Sequence, residues 1–216
     1  MELPGDGPTR LTDGSYDAAS PNWEPAGRSL VYVRGVKNRF AGHIWRLWPD
    51  TGRDKLVNDE KSSWEYIHLS RLGHVAACLN LSSGGEIWTL DRDGENVTQR
   101  HDAGDNQVRP AWSPDGKKIA WASDKYGCTR GIRVLDLESG ANFKINGLVL
   151  YDHTQLSWSP DGAHIAFGNH GGDSGVCDVQ LPNDQWKLFV VEAKADGAVT
   201  QITRHAGNHQ HPDWLT

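Results

Sequence analysis

The chain has 216 residues, with 22 Lys and Arg against 28 Asp and Glu and a formal net charge of −6. It has no basic run, so it lacks the electrostatic footprint of nucleic-acid binding, and no nucleic-acid partner is expected. No apolar stretch approaches the ~18 residues of a membrane-spanning helix, and Met1–Arg10 lacks the basic and apolar regions of a secretory signal.

One phrase recurs along the chain. Trp23-Glu24-Pro25-Ala26-Gly27 is a worn copy, and Leu69-Ser70-Arg71-Leu72-Gly73 a looser one. Trp112-Ser113-Pro114-Asp115-Gly116 and Trp158-Ser159-Pro160-Asp161-Gly162 state it in full, and Pro212-Asp213-Trp214 begins a fifth. The anchors Trp23, Leu69, Trp112, Trp158 and Trp214 stand 43 to 56 residues apart, a spacing typical of propeller blades or solenoid units. The third unit shows the parse. Val108–Ser113 is a short strand, Pro114-Asp115-Gly116 a turn, and Lys118–Ser123 a second strand. Gly131–Leu137 and Ala141–Ile145 follow, joined by Glu138-Ser139-Gly140. Four short antiparallel strands make one blade. No apolar period of 3.6 is sustained, so almost no helix is expected.

In chain order, residues 1–12 end in a lone strand at Gly7–Thr12. Residues 13–57, 58–100, 101–145 and 146–203 are four blades, and 204–216 supplies one strand, His209–Leu215, of a partial fifth. The expected fold is therefore an all-β propeller of four-stranded antiparallel blades, with the termini forming part of the fifth. Three ways of completing that blade stand open. The chain is a piece of a longer propeller, or a minimal ring, or half of a homodimer paired edge to edge.

Pro-x-Trp-Ser-Pro-Asp-Gly, then Ile-Ala-Phe/Trp at Ile119-Ala120-Trp121 and Ile165-Ala166-Phe167, resembles the TolB-like, WD-type propeller repeat. Ile132-Arg133-Val134-Leu135-Asp136 and the tails Leu11-Thr12 and Ile202-Thr203 extend the resemblance over nearly the whole chain. It implies the fold. It leaves function open, because the repeat serves binding proteins, peptidase gates and polysaccharide lyases alike. Proteins of this type are often periplasmic or exported, and the chain itself leaves the compartment open.

In a propeller the entry to the innermost strand lies near the axis. The residues five and three positions before each anchor are Ala18 and Ser20, Trp64 and Tyr66, Gln107 and Arg109, His153 and Gln155, and His209 and His211. Polar residues thus collect on three successive repeats opposite an aromatic pair. The long segment Gly168–Trp186, with Asn169, His170 and Asp173, falls on the same face. Arg109, Gln155, Asn169, His170 and Asp173 are the candidate ligand-binding residues. Residues i and i+2 of a strand share one side, so His209 and His211 can face one ion, with His153 as a third nitrogen. Such a set suits Mn²⁺ or Zn²⁺. The pattern is similar to the manganese site of oligogalacturonate lyases. That resemblance implies a metal on His153, His209, His211 and Gln107, with Arg109 as carboxylate clamp or activator. His170 and His68 are the available choices for a base.

Other residues read as structural. Asp91, Asp93, Asp115 and Asp161 are turn residues. His43, His74, His101 and His164 face solvent, and Cys78, Cys128 and Cys177 are reduced thiols without metal-type spacing. The first reading is a TolB-like scaffold that binds a protein partner or an acidic oligosaccharide at the channel mouth. The alternatives are a metal-dependent oligosaccharide lyase and a structural fragment of a larger propeller.

Overall fold

The computed structural model describes residues 9–35, 42–58, 64–81, 84–101, 106–124, 130–150, 155–170, 186–204, 209 and 212–214. These are all-β, with no helix among the described residues. Sixteen strands fall into four groups of four. The first comprises β1 (Asp17–Trp23), β2 (Leu30–Gly35), β3 (Gly42–Trp48) and β4 (Arg53–Asn58). The second comprises β5 (Trp64–Leu69), β6 (Val75–Leu81), β7 (Gly84–Leu90) and β8 (Thr98–His101). The third comprises β9 (Asn106–Trp112), β10 (Lys118–Asp124), β11 (Arg130–Asp136) and β12 (Asn142–Leu150). The fourth comprises β13 (Leu156–Trp158), β14 (His164–His170), β15 (Trp186–Glu192) and β16 (Val199–Gln201). Within each group neighbours pair antiparallel in chain order, and one extra pairing, Gly42 with Trp64, joins the first group to the second.

The recurrent phrase makes the same turn four times. In the full copies the Ser113 and Ser159 hydroxyls accept the N–H groups of Lys118 and His164, each at 2.9 Å. Asp115 and Asp161 each accept the serine hydroxyl and the N–H of the residue two further on. Gly116 and Gly162 close the turn at φ +70°, a left-handed conformation that costs glycine little. The worn copies keep the backbone bonds, Glu24 N–H to Ser29 O and Ser70 N–H to His74 O, with Gly27 and Gly73 also at positive φ. The turn survives loss of its aspartate because the glycine and the hairpin hydrogen bonds suffice to set it.

The core lies between the sheets. Val31, Val33, Ile44, Trp64, Val75 and Leu79 pack the first group on the second. Ala76, Ile87, Trp112, Ile119 and Trp121 join the second to the third. Ile132, Val134, Ile145, Trp158, Ile165 and Phe167 join the third to the fourth. The innermost strands are also tied directly. The Trp158 indole N–H donates to Ala111 O at 3.1 Å, and that of Trp214 donates to Ser157 O at 3.1 Å. These two anchor tryptophans thereby each bond the residue that precedes the anchor of the repeat before it.

Two expected terminal strands differ from expectation. Residues 9–12, the described part of Gly7–Thr12, form no strand. Of His209–Leu215, the described residues His209 and 212–214 carry no ladder; His209 N–H bonds Trp186 O at 3.1 Å and Trp214 docks through its side chain. Asp213 and Trp214 are held by side-chain bonds to Ser157, and His209 by one backbone bond, where strand pairing was expected. His101 also departs from its solvent-facing reading. It is half-buried, its ring centre 5.0 Å from that of Trp121, and its Nδ1 pairs with the Asn142 amide at 3.1 Å. The alternation placed it outward, but as the last residue of an outer strand it folds over Trp121. Asp91, Asp115 and Asp161 are turn residues, each accepting backbone N–H groups.

Candidate functional site

Three innermost strands carry the same irregularity. In β1, Ser20 and Pro21 together oppose Tyr32; in β5, Glu65 and Tyr66 oppose Cys78; in β9, Arg109 and Pro110 oppose Trp121. Each is a bulge, two residues against one, which bends the strand and re-aims a side chain. Proline, unable to donate to a ladder, fits the bulge in two of the three. Ser20 and Arg109 take φ of +51° and +55°, costly for residues with a Cβ.

The consequence is convergence. Ser20, Tyr66, Arg109 and Gln155, the residues three before successive anchors, line one cavity of about 500 Å³ with Asn22, Glu65 and His68. The Arg109 guanidinium lies 4.5 Å from the centre of the Tyr66 ring, a cation–π contact. Ser20 Oγ donates to Glu65 O at 3.2 Å and Asn22 Nδ2 to Ile67 O at 3.0 Å, fixing the first repeat to the second at the cavity wall. The cavity therefore combines one stacked cation with several neutral hydrogen-bonding groups.

His68 belongs to this wall and to a second cavity of about 210 Å³, lined also by Trp112, Ser157, Trp158, Asp213 and Trp214. Its Nδ1 accepts the Trp112 N–H at 3.1 Å. Burial lowers its pKa to about 4, against a small opposing effect of Asp213. The ring is thus a neutral acceptor with one nitrogen committed to the backbone, and a weak base. That removes His68 from the choices for a base near neutral pH.

The remaining predicted residues distribute as follows. Trp64, five before its anchor, points away from the cavity into the core, fully buried, with its indole on Asn58 Oδ1 at 3.4 Å. Asn169 is half-buried on β14, paired in register with Lys187. Gln107 and His170 are described through their backbone only, opposite Ser123 and Trp186. His153, His211 and Asp173 lie outside the described residues. His209 is half-buried, and its Nε2 is enclosed with no hydrogen-bond partner among the described residues. Among the described residues no three His, Cys, Asp or Glu side chains come together to hold a metal. Cys78 is buried in β6, and burial pushes its thiol far up, away from nucleophilic use. Sequence reasoning missed the participation of Asn22 and Glu65; the bulge that brings them in leaves no mark on residue type beyond Pro21 and Pro110.

Four-stranded antiparallel sheets packed face to face, with innermost strands opening on a shared cavity, define a β-propeller. The comparisons agree. No family model matches the chain. TolB of Alcanivorax borkumensis is 32% identical over 81 residues, 38% of this chain and 18% of its own length. The chain thus spans less than a fifth of that relative. The solved structure of a putative TolB from Agrobacterium tumefaciens aligns with a TM-score of 0.63 at 17% identity, covering 92% of this chain and 85% of its own. An oligogalacturonate lyase in complex with manganese aligns with a TM-score of 0.63 at 17% identity, covering 90% of this chain and 55% of its own. Over those 81 residues the repeat is similar to that of TolB, and the fold is that of solved propellers. No helix among the described residues is long and apolar enough to cross a membrane.

Proposed function

We propose that the chain is a TolB-like propeller that works as a binding scaffold, with its ligand or partner docking at the axial cavity. The observation that carries this reading is the repeated bulge. Three successive repeats accept backbone irregularity, two of them at positive φ, and the result is that Ser20, Tyr66 and Arg109 meet around one hollow. Strain retained at equivalent positions needs a use, and a stacked guanidinium over a polar cavity suits a carboxylate. On this reading the units 13–57, 58–100, 101–145 and 146–203 are the blades, with Trp214 seating the start of a fifth on the fourth. An acidic oligosaccharide is the simplest probe. Calorimetric titration with oligogalacturonate should give binding that weakens about tenfold in Arg109→Gln and is unchanged in Lys117→Gln, on an exposed turn elsewhere. Equal binding by all three proteins would reject the cavity as the site.

A second reading, a metal-dependent lyase acting on acidic sugars, is favoured by the enclosed, unpartnered Nε2 of His209. Buried polar nitrogens are normally satisfied, and an orphan of this kind fits a metal ligand. His209 with His153, His211 and Gln107 would hold Mn²⁺ or Zn²⁺, and the ion would supply positive charge to a uronate carboxylate. Elemental analysis of the purified protein tests it: stoichiometric metal, absent in the His209→Ala, His211→Ala variant, supports the reading, and its absence from both leaves the scaffold alone.

A further inference from the structure

The turn of the first blade differs in chemistry from those of the third and fourth. Where those turns expose Asp115 and Asp161, this one has Ala26. Where they begin with serine, it has Glu24, which is buried. The Glu24 carboxylate accepts the Ser29 hydroxyl and is paired with Arg46 at 3.0 Å and Arg92 at 3.3 Å. Acid is withdrawn from this surface and cations are held at it.

Aromatic residues sit among those cations. The Arg53 guanidinium lies 4.5 Å, and that of Arg46 6.0 Å, from the centre of the Trp48 ring. Trp23 is 58% exposed. Trp158 and Trp214 each dock on the repeat before them, and no described repeat precedes Trp23. Two adjoining hollows, of about 620 and 350 Å³, share Arg28 and Trp48; Trp23, Gly27, Pro49 and Asp50 complete the first, Glu24, Arg46 and Arg92 much of the second. Arg28, Arg46 and Arg92 therefore line the two hollows against Glu24 and Asp50, and Arg53 adds a fourth cation on the Trp48 ring, on a chain whose net charge is −6.

We propose that this face docks an acidic, extended peptide segment of a partner protein, with an apolar side chain between Trp23 and Trp48 and carboxylates on Arg28 and Arg53. Tryptophan and arginine are the residue types that dominate interface energetics, and guanidinium groups already stacked on a ring lose little freedom when a carboxylate arrives. Glu24 serves as the buried post that orients Arg46 and Arg92. The site is separate from the axial cavity, which is built from the inner strands.

The test is fluorescence anisotropy of a short fluorescein-labelled peptide of repeated Glu-Asp-Trp, against a second peptide with Lys replacing each acid. The acidic peptide should bind, the basic one should not, and binding should weaken as NaCl rises from about 0.05 to 0.3 M. Trp23→Ala and Arg28→Glu, both at exposed positions, should each weaken it about tenfold, a loss of 1.4 kcal/mol in binding. Circular dichroism checks that both variants fold. Equal binding of the two peptides, or binding insensitive to both substitutions, overturns the proposal. Loss of peptide binding in Arg109→Gln instead would place the peptide at the axial cavity and also overturn it. Concentration-dependent dimerisation abolished by Trp23→Ala would replace the partner with a second copy of the chain, and tighter binding of a single-stranded oligothymidine would replace it with nucleic acid.

Discussion

His68 Nδ1 accepts the backbone N–H of Trp112 at 3.1 Å, across the joint between the second and third groups of strands. The bond crosses from one inner strand to the next and fixes the His68 tautomer, with the proton on Nε2. It also sets a pH dependence. The folded pKa is about 4, below the ordinary 6.5, so between those values the unfolded chain binds the extra proton. This contribution to stability is fully present above pH 6.5 and is lost as pH falls towards 4, by on the order of 2–3 kcal/mol. His68→Asn keeps an acceptor for Trp112 and removes the proton. Denaturant unfolding at pH 7.5 and pH 4.5 should show the wild type losing more stability than the variant; an equal loss in both would refute the assignment.

The indole bonds give a second comparison. Trp158 Nε1 reaches Ala111 O, whereas Trp112 Nε1 is buried without an acceptor among the described residues. Trp158→Phe loses ring area and leaves a carbonyl unpaired. Trp112→Phe loses similar area but removes an unsatisfied donor. We expect Trp158→Phe to be the more destabilising by about 1–2 kcal/mol, read from urea unfolding midpoints. A reversed order would show that these bonds do not join the blades.

Glycines at positive φ are not equivalent. A Cβ on Gly94 would come 2.1 Å from Val57 O, where the second group of strands meets the first, while one on Gly116 would meet nothing within 4 Å. Gly116→Ala should cost only the left-handed penalty, about 1–2 kcal/mol. Gly94→Ala must also move the blade joint and should cost several kcal/mol, on the order of an overpacked core. Thermal unfolding separates the two, and equal shifts would contradict the close approach.

Glu24 offers a fourth test. Glu24→Ala would leave Arg46, only partly exposed, without its carboxylate, and should destabilise by about 2–4 kcal/mol. Glu24→Gln keeps the hydrogen bonds and should cost less. High salt should not rescue either variant, because the group is buried. Rescue by salt would mark the pair as a surface interaction.

Much of this architecture was legible in residue order, for local reasons. Trp-Ser-Pro-Asp-Gly carries its own turn chemistry, so Ser113, Asp115 and Gly116 act as their types predict. The register from anchor to anchor gave the four-strand grouping and the line of Ser20, Tyr66, Arg109 and Gln155. What the order of residues left undecided was direction. Trp64 and Tyr66 lie two apart and would share a face on a regular strand. The Glu65–Tyr66 bulge breaks that rule, so Trp64 enters the core while Tyr66 enters the cavity. His68, two residues from Tyr66, reaches the same cavity but is neutralised by enclosure, which depends on Trp112 from the next blade. Sequence alone determined the repeat, its turns and the all-β fold, because those rest on hydrogen bonds within a few residues. Tertiary structure alone decided which side chains face the axis, the pKa of His68 and the exposure of Trp23, because each depends on how one blade is stacked against the next.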